Sequence, residues 1–451
     1  MSASRTPRAV IIGGGISGLS AAYELTLHGW NVDLFEASST VGGKIGMSPV
    51  GDRLVDDGPD GFLNRVDHGV GLARELGLND EICHPATSIP AYLVREGALH
   101  ELPASSMLGV PTDLDLMSTT GVISAAGVQR ARFDLEAPAT PIDGDTSVGA
   151  VTRERLGDEI TDRLIDPLLG GINASDIDRL SLRAGAPLLA AALDRSPSLI
   201  RGLAELRPPT PPGQPKEPIF AGFNEGTFQL AEALSRTVAA KATVHLNRPV
   251  TSIDEVAEGA DQVIVAVPSN LAADLVAPLS PNSAEALRRI DYASVTQVMV
   301  ELPRSGVEPD LDSSGILFPR IDGTLITAST WMSSKWARYR RQHSVLVRMS
   351  TGRFGDERHL TYTDEELTQA LLAELGTVVK ISEAPLATRV NRFPHALPQY
   401  TPGHGDVVAE AFGALAADAS HVHLTGLAYH GIGIPACIDN ARNLVRQMIT
   451  G

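Results

Sequence analysis

The residues with the plainest chemical meaning lie near the start of the chain. Gly13-Gly14-Gly15-Ile16-Ser17-Gly18 spells G-x-G-x-x-G directly after an apolar run and directly before a helical pattern. In such a loop the first glycine permits a tight turn and the second lets the backbone approach a pyrophosphate. The third lets the following helix pack closely, with its N-terminus facing the anion. Glu36 stands 23 residues after Gly13, at the end of the next apolar run, where a carboxylate can accept hydrogen bonds from ribose hydroxyls. A glycine cluster alone could be an ordinary turn, but strand, helix and acid in register read as a dinucleotide cradle. Two further glycine segments follow, Val41-Gly42-Gly43-Lys44 and Asp57-Gly58-Pro59-Asp60-Gly61. An NAD-binding unit has no need of them, whereas FAD enzymes commonly use a second glycine pair to pass backbone along the pyrophosphate and the flavin ring. Lys44 belongs either to that cradle or to the solvated surface.

The elements that must position these residues are legible as texture. Residues 9–12 and 31–35 read as strands, with Leu19, Ala22 and Leu25 at helical spacing between them, a βαβ unit. Residues 107–194 read as mainly helical. Residues 207–218, RPPTPPGQPKEP, carry six prolines and predict an exposed loop. From residue 220 the α/β texture returns, with a helix near 227–238, a strand near 243–246 and an apolar run at 263–267. Residues 293–302, 315–330 and 344–350 alternate as an antiparallel sheet would, interrupted by a helix near 364–375. A strand at 422–424, a glycine turn and a helix near 436–449 close the pattern. The fold class expected is therefore α/β plus α+β. A Rossmann-like domain is built from separated segments (1–94, 219–292 and 394–451). A helical block (95–206), the Pro-rich loop (207–218) and a β-rich region (293–393) form an inserted substrate side.

Composition bounds the partners. The chain has 451 residues, enough for two or three domains, with 43% hydrophobic and 20% charged residues, as in an ordinary globular protein. Its 37 basic against 54 acidic residues give a net charge of −17, which repels polyphosphate, so nucleic acid is not an expected partner. Two cysteines, Cys83 and Cys437, indicate neither a disulfide framework nor a metal site, and a reducing cytoplasm is expected. No signal peptide or membrane span is read. The histidines show no metal-ligand spacing, and His404 and His430, each beside a glycine, read as structural.

The order GGGISGL, FEASSTVGGK and DDGPDGF resembles the monoamine-oxidase-like superfamily of FAD enzymes. Later segments resemble its bacterial oxygen-dependent porphyrinogen oxidases: 166–176 with Leu180-Ser181-Leu182, Gly222-Phe223-Asn224-Glu225-Gly226, Thr330-Trp331 with Ser334-Lys335-Trp336, Leu397-Pro398-Gln399-Tyr400 with Gly403-His404, and the closing run GLAYHGIGIPACIDN. The resemblance covers nearly the whole chain. It implies that FAD is held by Gly13 to Gly18, Glu36, Ala37, Gly43, Lys44, Gly58, Pro59, Asp60, Gly61, Val250, Phe393, Gly426, Ile432, Gly433 and Ile434. Relatives often carry Trp where this chain has Phe393, which keeps an aromatic face but lacks the indole donor. Cys437 stands too far into the closing helix for attachment, so the flavin is expected to be non-covalent.

The activity implied is conversion of coproporphyrinogen III to coproporphyrin III in haem biosynthesis, with protoporphyrinogen IX as the alternative substrate. Six electrons leave as three hydride equivalents to the flavin, molecular oxygen is reduced to hydrogen peroxide, and no catalytic triad is needed. What the protein must supply is orientation, an apolar slot and counter-charges for propionates. Arg65, Lys335, Arg348 and Arg392 are candidates for those charges, with internal ion pairing as the competing role. Gly171 and Ile172 offer backbone and an apolar surface unless they form only a turn. Trp331 and Trp336 line either the slot or the core. Downstream haem-pathway enzymes are expected partners. Another amine oxidase, or a porphyrin carrier that turns nothing over, would share many of these residues.

Overall fold

The computed structural model describes residues 5–86, 89–103, 105–136, 142, 144–206, 218–309 and 312–450. Eleven residues of the Pro-rich loop, 207–217, lie outside them. The short apolar runs read from the sequence become a five-stranded parallel sheet in the order Thr243–His245, Asn31–Phe35, Arg8–Ile12, Gln262–Val265, Val422–Leu424. The central three strands are apolar because both faces of a parallel sheet are covered. One face packs beneath Ile16–Leu27, Phe228–Ala239 and Ile434–Thr450 through Leu19, Leu25, Leu230, Leu234, Ile438 and Val445. The other packs against Ser269–Val276, Pro281–Arg288 and His404–Asp418.

The second body is a seven-stranded sheet ordered Ala387–Pro398, Tyr292–Pro303, Ser344–Thr351, Ile326–Trp331, Gly315–Leu317, Ala91–Arg95, Ala98–Glu101. Its pairs are antiparallel except Gly315–Leu317 with Ala91–Arg95. Two of the expected boundaries are corrected by this topology. The 94/95 division cuts the hairpin formed by Ala91–Arg95 and Ala98–Glu101, and the 393/394 division cuts the unbroken strand Ala387–Pro398. Alternating texture located these strands, but strand partners far away in sequence decide which sheet owns them.

The helical block has its own core, built from Ala125–Glu136, Val148–Leu156, Pro187–Arg195 and Leu199–Leu206. Its centre departs from a simple α-helical reading: Thr161–Gly170 is a π-helix with Pro167 inside it. Proline has no N–H to give to the preceding turn, and a widened turn is one way the ladder absorbs that gap. Gly171 and Ile172 lie at its end.

Candidate functional site

The glycine loop is built by steric exclusion. Gly13 takes φ +108°, and a Cβ there would lie 2.6 Å from the Ala266 carbonyl oxygen; one on Gly18 would lie 1.9 Å from the Gly13 carbonyl oxygen. These two positions accept glycine because the neighbouring backbone is already there. Gly15 differs: an added Cβ would meet only the Gly43 Cα, at 4.0 Å. Its missing side chain leaves room. The Gly42 N–H donates to the Gly14 carbonyl at 2.8 Å, so the second glycine segment is laid edge to edge on the first. The helix Ile16–Leu27 begins at Gly15 with no side-chain cap and no acidic residue in its first turn, which leaves N-terminal amides for an anion.

Glu36 is tied into this loop. Its carboxylate accepts from the Gly14 N–H at 2.7 Å and the Ser38 N–H at 2.8 Å, keeping acceptor capacity for hydroxyls on the exposed side. The Arg248 N–H donates to the Glu36 carbonyl at 2.9 Å, bringing half-buried Val250 alongside exposed Ala37. Lys44 is half-buried, and burial lowers its ammonium pKa, opposed by the buried Cys437 thiol nearby. Among the described residues no carboxylate pairs with it.

The segment from Gly58 to Gly61 does different work from that expected. Cβ atoms on Gly58 and Gly61 would strike the Lys44 carbonyl oxygen at 2.5 Å and the Trp336 ring at 2.8 Å, so these glycines admit protein neighbours. Asp60 is buried beneath them. Its carboxylate accepts from Arg348 at 2.9 Å, Lys335 at 2.7 Å and the Trp336 indole at 2.6 Å. Burial works against this charge, but Arg348 and Lys335 outweigh it and hold the pKa well below the usual carboxylate range. The Asp60 carboxylate is therefore held mainly by protein donors, so its side chain is read as a support, and what the loop offers a ligand is backbone. Arg348 also donates to the Gly58 carbonyl at 2.9 Å, pinning that backbone.

Two residues not singled out in the sequence, Asn391 and Ser48, brace this edge. Asn391 donates to Asp57 at 2.9 Å, and Ser48 also donates to that carboxylate, so the strand carrying Phe393 is stitched to the loop. The Phe393 ring consequently reaches within 3.9 Å of a Cβ position on Gly58. No local pattern marks such partners, since each pair is distant in sequence. On the remaining side Gly426 takes φ +145° with open space where a side chain would be, and Ile432, Gly433 and Ile434 lead into the helix Ile434–Thr450.

The substrate-side cations divide sharply. Lys335 and Arg348 are committed to Asp60, and Arg392 donates to Asp364 at 2.6 Å and to the Tyr362 carbonyl at 3.0 Å. Their expected role as free counter-charges is corrected to internal ion pairing. Arg65 is exposed and forms no ion pair among the described residues. Trp331 and Trp336, each 1% exposed, are core residues and do not line an open slot. Ile172 is 56% exposed and Gly171 has nothing near its Cβ position, so this tip is open. Beneath it Asp166 is buried, with Arg353 3.9 Å away and one oxygen without a partner; burial raises its pKa to about 6. His404 is buried and stacked on Tyr400, and burial lowers its pKa. No group of three or more potential metal ligands occurs among the described residues, and no helix there is long and apolar enough to cross a membrane.

A flavin dinucleotide fits this donor set: an uncapped helix start, a gap between Gly15 and Gly43, a half-buried cation without a carboxylate partner, and an acid at the ribose end. Comparison with known proteins agrees. Residues 16–449 match the family described as flavin containing amine oxidoreductase. The chain is 33% identical to the coproporphyrinogen III oxidase of Bacillus subtilis, over 98% of this chain and 97% of that one. It is 34% identical to that of Mycobacterium bovis, over 98% of each. A crystal structure from Exiguobacterium, provisionally assigned as a protoporphyrinogen oxidase, superposes with a TM-score of 0.86 at 28% identity over 99% of both chains. The chain belongs to the flavin-containing amine oxidoreductases, and its cofactor is FAD.

Proposed function

We propose that the chain oxidises coproporphyrinogen III to coproporphyrin III, with FAD as the immediate electron acceptor. The observation that carries this reading is the end-to-end likeness, at above 30% identity, to relatives named for that reaction. Six electrons and six hydrogens leave the macrocycle, and molecular oxygen takes them up as three molecules of hydrogen peroxide. When bound, the flavin supplies the hydride acceptor. The chain's own residues then bind and orient. Gly13 to Gly18, Glu36, Ala37, Gly43, Lys44 and Val250 hold the dinucleotide. The backbone of Gly58, Pro59 and Gly61, with Phe393, Gly426, Ile432, Gly433 and Ile434, frames the ring. No covalent link is needed, since Cys437 is buried within the last helix.

On the substrate side Arg65 is the counter-charge for a propionate, and the open tip at Gly171 and Ile172 gives the macrocycle an apolar face. A cytoplasmic location and delivery of product to downstream haem-pathway enzymes belong to the same reading. Purified protein assayed with reduced coproporphyrinogen III and protoporphyrinogen IX tests it: faster turnover of the tetracarboxylate is expected. Preference for the dicarboxylate would transfer the assignment to the second reading, favoured by the likeness to the Exiguobacterium structure. Oxygen uptake with amines alone would refute both.

A further inference from the structure

The C-terminal loop between Gly426 and Ile434 has little to hold itself in shape. Gly426 and Gly431 both take positive φ, +145° and +124°, and Gly433 is exposed. Inside the loop the Tyr429 N–H reaches the Gly426 carbonyl only at 3.4 Å. Its anchors come from outside. Asn440 donates to the His430 carbonyl at 3.2 Å, and the strongest contacts belong to one phenol. The Tyr400 hydroxyl donates to the Leu427 carbonyl at 2.6 Å and accepts from the Gly431 N–H at 2.8 Å. Burial raises the Tyr400 pKa, which keeps that hydroxyl a donor.

Tyr400 is itself fixed from two directions. Its ring stacks on His404 with centroids 4.0 Å apart, and the His404 Nε2 lies 3.3 Å from the Tyr429 carbonyl. Its own carbonyl accepts from the Ser181 N–H at 2.7 Å. Ser181 and Gly403 both donate to Asp145, which joins the helical block to the same corner.

We propose that Tyr400 is a positioning residue for the flavin: its hydroxyl closes the loop between Leu427 and Gly431, and its backbone carbonyl, held by Ser181, joins that loop to the helical block. The inference rests on the reading that Gly426 to Ile434 frames the flavin ring. Neither atom of the phenol is required to touch substrate. Truncation to Phe deletes one donor and leaves the Gly431 N–H without its acceptor, while the stack on His404 survives.

The test is FAD titration of apoprotein, followed by visible absorption and circular dichroism of the bound flavin. Four proteins are compared: wild type, Tyr400→Phe, Gly433→Glu and, as a stability control, Ser198→Ala, which deletes a buried bond to Asp134 in the helical block. Tyr400→Phe is expected to bind FAD at least tenfold more weakly, with an altered flavin spectrum. Its residual turnover should show a lower kcat with KM within twofold of wild type. Ser198→Ala should melt earlier yet bind FAD normally. Normal FAD affinity and an unchanged spectrum in Tyr400→Phe would overturn the inference alone. Normal affinity in Gly433→Glu would overturn the loop's place at the flavin, and the inference with it. Should Tyr400→Phe not fold, His404→Phe is measured in the same way. That variant serves only to show whether the neighbouring stack is tolerated; the deciding measurement is then hydrogen exchange of the Gly431 amide in flavin-free wild type, where protection is expected and exchange at the rate of an open loop would overturn the proposal.

Discussion

The dinucleotide loop and the substrate face are built by opposite means. At Gly18 the carbonyl of Gly13, five positions earlier, forbids any side chain, and Gly13 itself takes a φ of +108° that favours glycine before Ala266 closes the space beside it, so the glycine pattern is written within a few positions of chain. On the substrate face, Lys335 and Arg348 are decided by Asp60, 275 and 288 positions away, and Arg392 by Asp364 on another element. A glycine imposed by sterics announces itself locally, whereas a charge announces only that it needs a partner. The same difference separates binding groups from supports, because a cation already paired with a buried carboxylate has little left for a ligand.

The largest effect expected is at the support. Arg348→Ala leaves Asp60 buried with one cation fewer, and should cost about 3–5 kcal/mol of stability. Chemical denaturation of the flavin-free protein measures it. A loss near zero would return Arg348 to the list of substrate ligands and erase the contrast. Within the loop the contrast sharpens further. Gly18→Ala should destabilise even flavin-free protein by about 1–3 kcal/mol, because its Cβ would overlap the Gly13 carbonyl oxygen. Gly15→Ala should leave flavin-free melting near wild type and weaken FAD binding instead. Equal melting losses would show that both glycines serve packing.

Asp166 supplies the pH dependence. Its folded pKa of about 6 lies above its ordinary value of 3.8. Protonation therefore favours the folded state: that contribution is complete below pH 3.8 and lost as pH rises through about 6. Asp166→Asn cannot titrate, so its stability relative to wild type should rise by up to about 3 kcal/mol between pH 4 and pH 7. A pH-independent difference would refute the raised pKa. The smallest effect belongs to the free cation. Arg65→Ala should leave stability within about 0.5 kcal/mol, and should raise KM for coproporphyrinogen III roughly tenfold, equivalent to about 1.4 kcal/mol. Added salt should move wild-type KM in the same direction. An unchanged KM at low salt would remove Arg65 from the propionate site.

What could be read in the sequence follows from the same division. The βαβ unit, the glycine loop with Glu36 and the helix Asp364–Leu375 with its Thr363–Glu366 capping box depend on neighbours within a few turns of chain. The pairing of Ala91–Arg95 with Gly315–Leu317 depends on residues more than two hundred positions away, so a boundary drawn on texture divided a hairpin. Asp60 was visible as a loop acid, but its burial under Trp336 was not. Tyr400 stood inside a recognisable segment, and nothing local to it revealed that its hydroxyl meets Leu427 and Gly431.

The interleaved parallel sheet carries a consequence for how the protein is made. Arg8 and Asp261, joined by a hydrogen bond at the starts of two adjacent inner strands, are separated by 253 positions. The strand Val422–Leu424 and the helix Ile434–Thr450 follow every other element of the cradle. A nascent chain can therefore form the first βαβ unit on the ribosome, but on the proposed reading of residues 426–434 it cannot complete the flavin site until the strand Val422–Leu424 and the helix Ile434–Thr450 emerge. Long-range parallel pairing is slow and leaves strand edges open while it waits. Flavin capture would then close the cotranslational window of exposure, so flavin-starved cells should accumulate a chain that proteases cut within its last strand and helix.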